Sequence, residues 1–233
     1  MSVPAAAGGI TPEMDRWLMD GIDNIYRMHF DEAEASARKA IAVDPEHPYP
    51  YFGLAGVYWT RFVYQTDRTD TALLPPFEEN VRKAITLSKA WLAAHPDDPQ
   101  VLMVLGAAYG ISSRLNVVQR NWIRAYLDGR KALSYTRAAV KSDPEFWDAY
   151  LGIAMYDYYA DLYPRFVGVL ARMVLGGNRQ RGIDTLRMVA EKGHFSKATA
   201  QVLLVEIYTE DPYGARDAKK AVKIMEDLRA QFP

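Results

Sequence analysis

One phrase occurs four times along this chain of 233 residues and narrows what it can fold into. Two residues stand four apart, a third follows three further on, and a proline comes five beyond that. The copies are Ala33, Ala37, Ala40 and Pro45; Ala84, Ser88, Trp91 and Pro96; Ala132, Thr136, Ala139 and Pro144; and Ala221, Met225, Leu228 and Pro233. Positions three and four apart share one helix face. A proline cannot extend a helix, so each phrase reads as a helix with one packing face and a fixed stop. Helical spacing also marks the residues ahead of the phrases: Tyr51, Leu54, Ala55 and Tyr58; Leu102, Leu105, Gly106 and Tyr109; Tyr150, Ile153 and Ala154; Gln201, Leu204 and Tyr208. A weaker copy, Gly182, Leu186 and Val189, has His194 where the others have proline. The alternation of polar and apolar residues that marks a half-buried strand is missing.

The segment Met14 to His47 is 34 residues long and carries Trp17, Gly21, Ala33, Ala37, Ala40 and Pro45 at positions 4, 8, 20, 24, 27 and 32. The pattern resembles the tetratricopeptide repeat (TPR), a pair of antiparallel helices. The resemblance implies an all-α, TPR-like helical-hairpin solenoid (an α-α superhelix) of about five helix pairs with lengthened or inserted segments. It spans 12–233 as a single domain behind a flexible tail, 1–11. Gly21 and Ala33 are small where two helices of a pair would cross. The intervals Pro45 to Pro96 and Pro96 to Pro144 are 51 and 48 residues, 17 and 14 beyond the repeat length. The excess is expected in longer helices and connections: one at Asp67 to Pro76, a turn at Asn116 to Asn121, and an inserted short helix over Leu162 to Gly177.

Composition removes several kinds of chemistry. The chain has no cysteine, which excludes disulfides, thiolate catalysis and cysteine-held zinc. It is 49% hydrophobic and 24% charged, enough apolar side chain for a sizeable core. A net charge of −1 argues against nucleic acid as the main partner. No run reaches the roughly eighteen apolar residues a membrane helix needs, so no transmembrane segment is expected. The start lacks a basic and apolar leader, and the compartment stays open between cytoplasm and periplasm.

His29, His47, His95 and His194 sit near expected turns and none pairs at metal-ligand spacing. They read as turn or capping residues. Gly176 to Gly182 has no lysine of a phosphate loop; Gly176 and Gly177 read as a left-handed helix end and Asn178 as the next helix cap. Tyr156 to Tyr163 carries Asp157 and Asp161 four apart, a spacing that would allow acid–base work, beside tyrosines that read as packing. No catalytic residue, metal or cofactor is assigned, and the chain is expected not to be an enzyme.

What remains is binding. The TPR resemblance implies a concave surface lined by first helices, chiefly at repeat positions 2, 5, 9, 12 and 13. Here those positions supply a partner-binding set of Leu18, Ile22, Tyr26, Phe52, Trp59, Met103, Met155, Tyr158 and Tyr159. TPR domains that grip a C-terminal carboxylate have Lys and Asn where this chain has Leu18 and Ile22, so the apolar, aromatic lining points instead to a hydrophobic peptide or helix of a protein partner. The chain's own extra segments are the competing filler of that groove. Charge supplies an alternative. Residues 112–142 hold seven basic side chains against one acidic, a balance of +6, with Trp122, Tyr126 and Tyr135 among them. A patch of Arg120, Arg124, Arg130 and Lys131 would suit an anionic surface, lipid headgroups or RNA. The last phrase ends at Pro233 with no polar capping helix, which suggests a truncated array or self-association through the C-terminal repeat.

Overall fold

The computed structural model describes residues 9–162, 177–212 and 214–233. Among them the chain is helical with no strand: α1 Pro12–Tyr26, α2 Phe30–Val43, α3 Pro48–Thr60, α4 Leu74–Ala94, α5 Pro99–Val118, α6 Trp122–Ser142, α7 Tyr150–Leu162, α8 Arg179–Lys192, α9 Lys197–Glu210 and α10 Ala218–Gln231. Every copy of the phrase lies on the second helix of a pair, and five pairs result. This is a TPR-like helical-hairpin solenoid. The backbone divides into two compact units, 1–132 and 133–233, with the division inside α6. Residues 163–176, on which the inserted helix expected over 162–177 falls, and the tail residues 1–8 lie outside the described residues.

In the first unit the phrase residues Ala33, Ala37, Ala40 and Ala84 are buried at 4% exposure or less. The helix ends follow from local chemistry. The Thr11 hydroxyl accepts the Met14 N–H (3.2 Å) and Pro12 opens α1, where its missing N–H costs nothing. Asp98 accepts from Gln100 and Val101 to start α5, and its other oxygen takes the Trp91 indole N–H at 3.0 Å, tying α4 to α5. The connection after α3 differs from the sequence expectation. A π-helical turn, Arg61–Gln65, prolongs α3, and left-handed Asp67 and Arg68 reverse the chain. Pro75 and Pro76 are not loop residues: they sit in the first turn of α4, where proline is tolerated. Asn116 likewise belongs to α5 rather than to a turn, and is buried with its amide donating to the Ser112 carbonyl (2.9 Å) and to Asp128 (3.4 Å).

Two turns between successive helix pairs are built alike. In Asp44-Pro45-Glu46 the aspartate accepts the Glu46 N–H at 3.0 Å and the Tyr51 hydroxyl donates to the Pro45 carbonyl at 3.0 Å. In Asp143-Pro144-Glu145 the matching bonds are 2.9 and 3.0 Å, the second from Tyr150. The proline-free turn before α9 uses another device. Buried Asp148 reaches across to accept the backbone N–H of His194 (3.0 Å) and of Ser196 (2.7 Å).

The second unit packs α7 on α8, α8 on α9 and α9 on α10. Its core gathers Ala154, Tyr158, Ile183, Leu186, Val189, Leu203, Leu204, Ile207 and Ala221. A tight crossing against backbone lies at Gly182, where a Cβ would be 2.8 Å from both the Ala154 carbonyl oxygen and the Tyr158 backbone nitrogen. On α10, Val222 and Met225 stay exposed while Ala221 is buried.

Candidate functional site

In the first unit α1 lies against α3, and α3 against α5, so the first helices of three pairs form one layer. Leu18 of α1 abuts Gly53 of α3, whose Cβ would sit 3.6 Å from a Leu18 methyl. This contact buries Leu18. Trp59 and Met103 are buried as well, at 7% and 4% exposure. The Trp59 ring lies 5.6 Å from Phe77 and 6.2 Å from Phe62, with the Arg114 guanidinium 5.6 Å above it. These three side chains therefore belong to the interior of the unit. Ile22, Tyr26 and Phe52 are half-buried at its surface, as are Ala107, Gly110 and Ile111 on α5. Between them stands Gly56, around which an added Cβ would meet nothing within 4 Å. The layer thus has a shallow apolar face with room above its central helix.

In the second unit Met155 and Tyr159 are half-buried, whereas Tyr158 is interior at 5% exposure. The Tyr158 hydroxyl donates to buried Asp211 at 3.0 Å, and Asp211 also accepts from Arg179 (3.3 Å) and the Ala215 N–H (2.9 Å). Asp157, 1% exposed, is held by Arg181 through two bonds of 2.5 and 2.6 Å. Asp161 accepts the Arg179 backbone N–H at 3.4 Å. The aspartates spaced for acid–base chemistry are thus engaged in joining α7 to α8. Burial, and then the bond to the Asp211 carboxylate, push the Tyr158 phenol well above its ordinary value. The fold favours the neutral phenol, and the unfolded chain loses that proton near pH 10. Stability from this group is complete below that pH and is lost as pH rises beyond it. Urea unfolding at pH 8 and above pH 10 should show a smaller alkaline loss for Tyr158→Phe than for the wild type. An unchanged loss would mean the phenol is not held this way.

Asn178 accepts the Arg181 N–H at 2.9 Å and so caps α8. Gly176 lies outside the described residues, and the left-handed reading fails at Gly177, since Gly214 is the glycine with positive φ among those described. Gly177 is small for another reason: a Cβ there would come 2.8 Å from the Ala160 side chain and 2.9 Å from the Asp161 nitrogen. The histidines serve helix ends or turns. His47 Nδ1 accepts the Tyr49 N–H at 3.2 Å, His95 stacks on Trp91 at 4.2 Å, His29 precedes α2, and exposed His194 lies in the turn held by Asp148.

The basic run forms a second surface on the first unit. Arg120, Arg124, Arg130 and Lys131 are all exposed. Lys131 lies 3.8 Å from Asp128 and 4.9 Å from the Tyr109 ring, and Arg130 donates to the Tyr126 hydroxyl at 3.4 Å. Around them Val118, Trp122, Ile123, Tyr126 and Leu127 are exposed as well, Trp122 at 60% and Ile123 at 79%. Sequence reasoning noticed the aromatics but not Ile123 and Leu127. The available signal was the pair Ile123 and Leu127, four apart on α6 and off the helix face that carries buried Ala125, Leu133 and Thr136. Helix α5 is long and apolar enough to cross a membrane by composition, yet over half of that stretch is buried inside the chain.

The fold defined by this geometry is TPR-like. Among solved structures, the chain is similar to TTC0263, a thermophilic TPR protein of Thermus thermophilus, at a TM-score of 0.51 and 19% identity, covering 94% of this chain and 96% of that one. It is also similar to a monomeric mutant of IFIT1 with Gppp-AAAA, at a TM-score of 0.44 and 14% identity, covering 86% of this chain and 55% of that one. No protein-family model matches the sequence, and no curated protein does.

Proposed function

We propose that this chain is a non-enzymatic scaffold that holds a partner peptide or helix against the first-helix layer of its first unit. The observation that carries this reading is the open space over Gly56, flanked by half-buried Ile22, Phe52 and Ile111. Apolar side chains of a partner at helical or extended spacing would fill that space, the usual way such layers gain affinity. Met155 and Tyr159 are the counterparts on α7. The engagement of Asp157 by the Arg181 guanidinium and of Asp161 by the Arg179 backbone N–H supports binding over catalysis.

The test separates binding from folding. A peptide selected from a displayed library against the intact chain should bind with micromolar or tighter affinity. Gly56→Trp fills the open space and replaces the poorest non-proline helix former, so stability should hold or rise by about 0.5 kcal/mol. Peptide binding should fall about tenfold or more, as expected when a partner's anchor space is occupied. Equal binding to wild type and Gly56→Trp would place the site elsewhere.

A further inference from the structure

We infer that the turn between α5 and α6 and the first two turns of α6 form a docking surface for an anionic lipid membrane. Three observations converge on this one place. First, Val118, Trp122, Ile123, Tyr126 and Leu127 are exposed together, and the pairs 122/126 and 123/127 are neighbours on one helix face. Scattered surface apolar residues are ordinary, whereas five adjoining large ones mark a contact surface. Second, the charge among them is positive and uncompensated. Arg120 and Arg124 are exposed and meet no carboxylate among the described residues. The nearby acid, Asp128, is half-buried and occupied by Ser112 (3.0 Å), Asn116 (3.4 Å) and Lys131 (3.8 Å). Third, Arg120 stands at φ 61, so the chain turns sharply there and leaves a narrow hairpin end.

The composition of the patch selects the occupant. Arginine attracts anionic headgroups, tryptophan and tyrosine rest at the headgroup level, and aliphatic side chains gain by entering the acyl boundary. Single-stranded RNA would reward stacking on the rings, and Val118, Ile123 and Leu127 offer it no stacking surface. Ile123, at 79% the most exposed of the set, is the residue a hydrocarbon phase would take up best.

Co-sedimentation of the intact chain with vesicles of phosphatidylcholine and phosphatidylserine tests the proposal, with pure phosphatidylcholine vesicles and a labelled single-stranded RNA as parallel probes. Binding is expected to the phosphatidylserine vesicles and to weaken with salt. Arg120→Gln with Arg124→Gln should lower the partition about thirtyfold, roughly fivefold for each charge removed. Ile123→Ser with Leu127→Ser should lower it about tenfold or more, with a blue shift of tryptophan emission lost. Both double variants change exposed side chains, and unaltered circular dichroism would show that they fold. Failure to bind phosphatidylserine vesicles, equal binding by the variants, or binding to RNA in place of vesicles would each overturn the assignment. So would a wild-type dimer that Ile123→Ser converts to a monomer, because the patch would then be covered by a second copy.

Discussion

Replacing Trp59 by alanine should destabilise the first unit by about 3–5 kcal/mol, the range for deleting a buried aromatic. The side chain is 7% exposed and fills the space between Phe62 and Phe77, so its loss leaves a cavity lined by rings that cannot collapse into it. The Arg114 guanidinium would also lose the ring face it lies over. A domain is stable by only about 5–15 kcal/mol in total, so much of that margin would go. Urea unfolding followed by circular dichroism should show a large fall in midpoint. A change under about 1 kcal/mol would mean that Trp59 does not carry the packing seen here. One consequence is practical. Lost binding in Trp59→Ala reports unfolding, and Gly56→Trp is the variant that interrogates the surface.

The second large effect is expected at Gly182. Alanine is the better helix former by about 1 kcal/mol, so propensity alone predicts a gain. Sterics outweigh it. The new methyl would sit 2.8 Å from the Ala154 carbonyl oxygen and from the Tyr158 nitrogen, both backbone atoms that cannot swing aside. Helices α7 and α8 would have to separate, loosening the bidentate Asp157–Arg181 pair that joins them. A net loss of about 2 kcal/mol or more is expected, from the range for overpacked interiors. Gly21→Ala is the control. Its methyl would lie 3.6 Å from the Ala33 carbonyl, an ordinary contact, so the propensity gain should survive. Unfolding midpoints that move the same way in both variants would contradict the packing described at Gly182.

The helix pairs were legible because a proline five residues after a three-residue helix face is a strong local instruction. The resemblance to TPR assigned Trp59 to a partner-binding lining and said nothing about depth, and the fold buries the side chain. Depth comes from the π-helical turn after α3 and from the long α4, which set Phe62 and Phe77 over the indole; neither follows from a 34-residue period. The same applies to Tyr158, whose hydroxyl finds Asp211, 53 positions away. Asp148 was hidden for a different reason. It does the work of a missing proline from the turn that leads into α7, at the far end of the same helix pair, and only the folded chain brings it to His194 and Ser196. The aspartate–proline–tyrosine turns at 44–51 and 143–150, by contrast, were present in the sequence as a repeated spacing that the helix pattern overshadowed.

Receipt of a partner over Gly56 by the first-helix layer of the first unit would leave a spectroscopic trace. Two-dimensional amide NMR of the intact chain, titrated with a selected peptide, tests it most directly. Shift changes are expected to concentrate at Ile22, Tyr26, Phe52, Gly56, Ala107 and Ile111, with α2 and α4 quiet. Changes confined to α2 and α4, or to the start of α6, would contradict it.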